Sequence, residues 1–329
     1  MTALAPTLQA FFADRLAQQK NASPHTIAGY RDTLRMLLNF AWQRTGTPPS
    51  RLDIGDLDAP LISSFLDHLE QERGNSPRTR NARLAAIRSL LSFAMPRHPE
   101  HAATISRALA IPPKRFTRTI VTWLTDEEAA AVLAAPDTGT RTGRRDHALL
   151  TVALQTGLRA SELAGLQCQD AVLGPGACLT CTGKGRKQRA TPLTSQTVKI
   201  LRAWARERHG DPGDPLFPAS HGRPLSRDAI AAVVRRHAAT ASESCPPLRD
   251  KTVTPHTLRH SAAMRLLHAG VDTSVIALWL GHEKTDTVQH YLHADLSLKE
   301  KALARTTPPG TAPGRYQPPD DLLAFLEAL

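Results

Sequence analysis

Along most of its 329 residues this chain keeps apolar side chains at helical spacing. Only residues 172–193 change to short β-like runs, broken by Gly183-Lys184-Gly185. That single interruption limits the fold to a mainly α protein with one small β-hairpin or sheet. Helix starts are written into the N-terminal third twice. Ser23-Pro24-His25-Thr26 and Ser76-Pro77-Arg78-Thr79 each set a Ser cap before a Pro at the first helical position, where its missing N–H costs nothing. Ile27, Tyr30, Leu34, Leu37, Leu38 and Ala41 follow the first start at 3–4 residue spacing, and Leu84, Ile87, Leu90, Leu91 and Ala94 follow the second. With further helices over about 7–20 and 59–72, the pattern predicts a bundle of four or five helices.

The length supports two domains at ~150 residues each. The helical bundle fills 1–112, a basic, non-helical linker occupies 113–123, and a second domain runs over 124–305, opened by the capping box Thr125-Asp126-Glu127-Glu128. Its helices are expected over about 126–135, 144–156, 159–165, 194–209, 226–240, 255–268, 272–280 and 286–293. Residues 306–329 read as a Pro/Gly-rich linker and a short amphipathic helix over 320–329, too short to be stable unless it docks on something.

Composition narrows the partners. The 41 Lys+Arg outnumber the 30 Asp+Glu, for a net charge of +11, which favours a polyanion and nucleic acid first. Thirty-two of those cations are Arg, whose fork binds phosphate bidentately. The chain contains no run of about 18 apolar residues, so no membrane-spanning helix is expected. The first 20 residues show no secretory signal, and four cysteines suit a reducing cytoplasm. Charge is also segregated. Residues 53–72 hold six acids and no Lys or Arg, whereas residues 73–97 hold six arginines and no acid. Of these, Arg78, Arg80, Arg83 and Arg88 lie on the second Ser-Pro helix and are expected to track a phosphate backbone.

Five short segments of the second domain carry chemistry. In Thr156-Gly157-Leu158-Arg159, a buried helix stops at Gly157 and a guanidinium stands beside the next helix N-terminus, a setting that suits a phosphate oxygen. Glu162, one turn on, is either an arginine-orienting carboxylate or a solvent-facing charge. Gly183-Lys184-Gly185-Arg186-Lys187-Gln188-Arg189 packs four cations into a turn, and Arg186, Lys187 and Arg189 are expected to contact DNA. It is not a P-loop, because position 178 is Cys where Gly is needed and Gly185 stands where Ser or Thr should follow the lysine. In Thr254-Pro255-His256-Thr257-Leu258-Arg259-His260, His256 and Arg259 share a helix face. This run lacks the Glu of a zinc-protease helix, and Arg259 would repel a metal ion, so no metal is expected. Cys178 and Cys181, without a second ligand pair, read as two strand thiols. Leu280-Gly281-His282 and His290-Tyr291-Leu292-His293 complete the set.

This order closely resembles the tyrosine recombinase (phage integrase) family. The matching residues are Arg159, Lys184, His256, Arg259, His282 and Tyr291, at separations of 25, 72, 3, 23 and 9 residues. The likeness extends over about residues 7–305 and is nearest to compact two-domain Xer-like and transposon-integrase members. One departure is Glu-Lys-Thr-Asp-Thr-Val-Gln-His between His282 and Tyr291, with Asp286 where the family often has Thr-Thr. The resemblance implies a SAM-like helical core-binding domain followed by an α+β catalytic domain. It also implies cutting and rejoining of double-stranded DNA through a 3′-phosphotyrosyl intermediate on Tyr291, without ATP, metal or other cofactor. Arg159 and Arg259 would bind the phosphate, Lys184 would protonate the leaving oxygen, and His256 and His282 would assist. A homo-tetramer on two DNA sites, partner recombinases, a mobile-element role and a cytoplasmic, nucleoid-associated place in a bacterium are further expectations of that likeness. A type IB topoisomerase-like enzyme and a non-catalytic DNA-binding homologue stay open as alternatives.

Overall fold

A computed structural model of the chain describes residues 4–116, 121–183 and 188–281. The chain divides into two compact units, Met1–Arg118 and Thr119–Leu329. The expected helix over 286–293 and the tail over 306–329 lie outside the described residues.

The first unit is helical throughout. α1 (Leu4–Ala10) runs into a π-helical stretch, Phe11–Gln19, and is followed by α2 (Pro24–Thr45), α3 (Ala59–Gln71), α4 (Pro77–Ala94) and α5 (Ala102–Leu109). Both Ser-Pro starts form as predicted. Ser23 Oγ accepts the Thr26 N–H and Ser76 Oγ accepts the Thr79 N–H, each satisfying a donor that the first helical turn leaves open. Phe11, Leu37, Phe65, Leu66, Ile87, Leu90 and Ile105 form the buried centre of this unit.

The segregated charges of this unit meet in three dimensions. Arg80 is only 5% exposed, and its Nε lies 3.3 Å from Glu70 Oε2 of α3. Arg83 donates to Gly29 O and Thr33 Oγ1 of α2, and Arg88 donates to the carbonyls of Leu109 and Ile111. Of the four arginines expected to track a phosphate backbone, Arg80, Arg83 and Arg88 brace α4 against its neighbours, and Arg78 is exposed. The reason is that α4 packs against α2, α3 and α5 on several sides, so arginines spaced around it meet buried acceptors.

The second unit opens with α6 (Asp126–Ala134), α7 (Arg141–Thr156) and α8 (Ala160–Gly165). A three-stranded antiparallel sheet follows in the order β1 (Ala171–Val172), β2 (Cys178–Thr182), β3 (Gln188–Pro192). Then come α9 (Ser195–Arg208), α10 (Arg227–Ser244), α11 (Pro255–His268) and α12 (Thr273–Leu280). The expected hairpin is present and gains β1 as a third strand. Its register pairs Cys181 with Arg189 and Thr182 with Gln188, so residues 183–187 connect the two paired ends. Residues 148–154 of α7 are almost wholly buried, and Leu149, Leu150, Leu201, Ile230 and Leu258 make a core around them. The Thr125–Glu128 capping box forms, and Glu128 additionally takes Lys251 Nζ at 2.7 Å. Because Leu124 N–H also donates to Ser261 Oγ, the start of α6 is tied to α11.

Candidate active site

Two helix ends and one helix start converge on a group of arginines. α7 ends at Gly157, whose left-handed φ of +63° suits glycine, and a Cβ there would fall 2.5 Å from Leu280 Cδ2. α12 ends the same way at Gly281, with φ +64°. Arg259, on the second turn of α11, is 2% exposed. It donates from Nη1 to Gly157 O at 2.6 Å and from Nη2 to Leu280 O at 2.7 Å. Both acceptors are terminal carbonyls without helical partners, so one cation sits at the negative ends of two helix dipoles.

Arg159 stands immediately before α8. Its Nη2 donates to Gly281 O at 3.2 Å, its Nη1 to Glu162 Oε1 at 2.9 Å, and its backbone N–H to Glu162 Oε2 at 2.7 Å. The carbonyls of Leu280 and Gly281 are thus read by two different arginines, which fixes the end of α12 directly before His282. Its side chain keeps 35% of its surface exposed, against 4% for Glu162. Of the two readings offered by the sequence for Glu162, the structure supports the orienting carboxylate. Burial pushes its carboxyl pKa up, but hydrogen bonds from Arg189 and the Arg159 backbone, with the charges of both arginines, outweigh this and hold it below the ordinary carboxylate value.

Arg189 departs from expectation. Expected to contact DNA, it has both of its terminal nitrogens on Glu162, Nη1 on Oε1 at 3.0 Å and Nη2 on Oε2 at 2.7 Å, with its side chain 12% exposed. Strand alternation was the signal available in the sequence: positions 189 and 191 share the inward face of β3, and 188 and 190 face out. Only the partner's identity was illegible. Lys184, Arg186, Lys187, His282 and Tyr291 lie outside the described residues. His256 is exposed on the first turn of α11, its ring 4.0 Å from that of His260. Among the described residues no group of His, Cys, Asp or Glu is arranged to hold a metal ion. Cys178 and Cys181 are free thiols on β2, and burial raises the Cys181 pKa to about 11, which keeps it a thiol. No helix of the described residues is long and apolar enough to cross a membrane.

Two guanidinium groups on one carboxylate, with a third on the adjoining helix-end carbonyls, leave a net-positive cluster at a helix start, an arrangement suited to holding an anionic oxygen. Comparison with known proteins identifies what kind of protein builds it. The phage integrase family profile matches residues 122–297, and that of the phage integrase N-terminal SAM-like domain matches residues 9–98. "Putative integrase/recombinase y4rC" of Sinorhizobium fredii is 54% identical over 327 residues, covering 99% of this chain and 98% of that protein. Tyrosine recombinase XerC of Pelobacter propionicus is 32% identical, covering 92% and 95%. The fold recurs in XerH site-specific recombinase bound to a palindromic difH substrate (TM-score 0.70, 24% identity, 87% and 81% covered). It recurs also in the Tn1549 transposon integrase in complex with transposon right end DNA (TM-score 0.67, 19% identity, 94% and 100% covered). The chain belongs to the phage integrase family and is an enzyme of the tyrosine recombinase class.

Proposed function

We propose that the chain is a site-specific recombinase that cuts and rejoins duplex DNA through a 3′-phosphotyrosyl bond to Tyr291, and that it serves as the integrase or transposase of a mobile element. The observation that carries this reading is the Arg159–Glu162–Arg259 arrangement, two cations anchored on helix ends at the point where the chain leads into His282. Tyr291 Oη attacks the scissile phosphorus and the 5′-oxygen leaves, so one phosphodiester is exchanged for another and its bond energy is conserved for resealing. Arg159 and Arg259 offset the charge growing on the nonbridging oxygens. Lys184 gives its proton to the departing 5′-oxygen, and His256 takes part in moving the tyrosine proton. His282 hydrogen-bonds the phosphate. DNA binding draws support from the complexes solved for the XerH and Tn1549 proteins and from the net charge of +11. A tetramer on two DNA sites, alone or with a partner recombinase, and a cytoplasmic, nucleoid-associated location complete the proposal.

The test is a nicked suicide substrate that traps the cleaved strand. Wild type is expected to form a covalent protein–DNA adduct in the presence of EDTA, and Tyr291→Phe none. An adduct in the Phe variant, or its absence from wild type on a cognate site, would overturn the reading.

A further inference from the structure

The Glu162 carboxylate has two claimants, and they are not equivalent. Arg189 engages it with a two-point fork, Nη1 to Oε1 at 3.0 Å and Nη2 to Oε2 at 2.7 Å. Arg159 gives it a single guanidinium N–H, from Nη1 at 2.9 Å, and otherwise holds it through the backbone. The fork comes from the more buried arginine, 12% exposed against 35%. Bidentate pairing in a dry site is the stronger of the two contacts. One negative charge between two positive ones leaves a single positive charge, and this distribution leaves it on Arg159, the exposed member. A second contact points the same way. A Cβ on Gly281 would lie 2.7 Å from Arg189 Nη1, so Arg189 backs the same turn whose carbonyl takes Arg159 Nη2.

We propose that Arg189 is a positioning residue that takes up the charge of Glu162, so that Arg159 remains available to the scissile phosphate. Without it, Glu162 and Arg159 would close into a neutral one-to-one pair, and the phosphate would lose a cation although every residue of the expected catalytic set was still present. The inference rests on the phosphate-binding role proposed for Arg159. It assigns Arg189 no contact with DNA.

Three variants in the suicide-substrate assay, read as single-turnover cleavage rate at saturating DNA, test it. Arg189→Met is expected to cleave about 100-fold more slowly than wild type, in the range seen when one preorganised charge donor is removed. Its DNA affinity should fall far less than its rate, because Arg189 makes no phosphate contact of its own and Arg159 is one cation among the many that hold the duplex. Adding Glu162→Gln to Arg189→Met removes the unbalanced carboxylate and should recover about tenfold of that rate, or ~1.4 kcal/mol of barrier. A double variant no faster than Arg189→Met overturns the proposal, because a mere structural brace would gain nothing from a second substitution. Cleavage by Arg189→Met at the wild-type rate overturns it as well. Should thermal melting show that Arg189→Met does not fold, Arg189→Lys decides. A folded Lys variant within about tenfold of wild type supports charge uptake, and a folded but slower one overturns it. Wild type runs alongside, and its failure to form an adduct would sink the proposed function rather than this inference.

Discussion

Both units bury arginines, but the partners differ in a way that separates bracing from chemistry. In the first unit, Arg80 meets Glu70, and Arg83 and Arg88 meet carbonyls of neighbouring segments. Each is consumed by a contact that joins one helix to another. In the second unit, Arg159 and Arg189 share one carboxylate, and Arg159 and Arg259 take the terminal carbonyls of two helices. Terminal carbonyls carry only partial charge, so they orient a guanidinium without cancelling it. The lesson is that an arginine-rich helix is weak evidence of a phosphate surface until its acceptors are known. A group of arginines around too few carboxylates is stronger evidence.

That contrast can be broken by substitution, and Arg259→Ala should show the largest effect. It would leave the carbonyls of Gly157 and Leu280 buried without a donor and is expected to cost about 3–5 kcal/mol as well as abolish cleavage. Urea unfolding followed by tryptophan fluorescence measures it, since Trp123, Trp204 and Trp279 report on the second unit. A loss confined to activity, with unchanged unfolding, would show that Arg259 does not tie the two helix ends. Arg80→Ala should come next, costing about 1–2 kcal/mol, because Glu70 keeps Lys114 at 2.7 Å as a second partner. Hydrogen exchange of α3 and α4 reads this change directly, and a DNA-binding defect without faster exchange would return Arg80 to the phosphate-facing set.

Acid supplies a milder probe. Folding lowers the Glu162 pKa, so the stability contributed by this carboxylate is full above the ordinary carboxylate value and is lost as pH falls through the lowered one. The unfolding midpoints of wild type and Glu162→Gln should therefore differ most at neutral pH and converge in acid, below about pH 4. A gap that stays constant with pH would mean that the Glu162 charge contributes nothing. Arg78→Ala should have the smallest effect. Stability is expected to change by less than ~0.5 kcal/mol, and the salt dependence of DNA binding to weaken by about one phosphate contact. An unchanged salt slope would leave α4 without a demonstrated DNA contact.

Much of the molecule was legible because it is written locally. Ser23, Ser76 and Thr125 cap their helices as read, since a cap is a contact across three residues. Helix ends at Gly157 and Gly281 follow from the one residue type that takes a left-handed φ without strain. The order of Arg159, Arg259 and the Leu280-Gly281-His282 turn also needed no coordinates. What failed locally were the long cations. Arg80 and Arg78 are two residues apart, and only the packing of α3 against α4 makes one a buried brace and the other a surface charge. Arg186 and Arg189 look alike in the hairpin sequence, yet Arg189 finds Glu162 27 residues upstream.

The sequence by itself determined where the helices begin and stop, that one small sheet interrupts them, and which residue types line the site. The tertiary structure alone decided how each guanidinium is used. An arginine side chain is long enough to reach acceptors on several neighbouring elements, and the one it meets is set by distant chain segments: for Arg259, Gly157 lies 102 residues away and Leu280 lies 21.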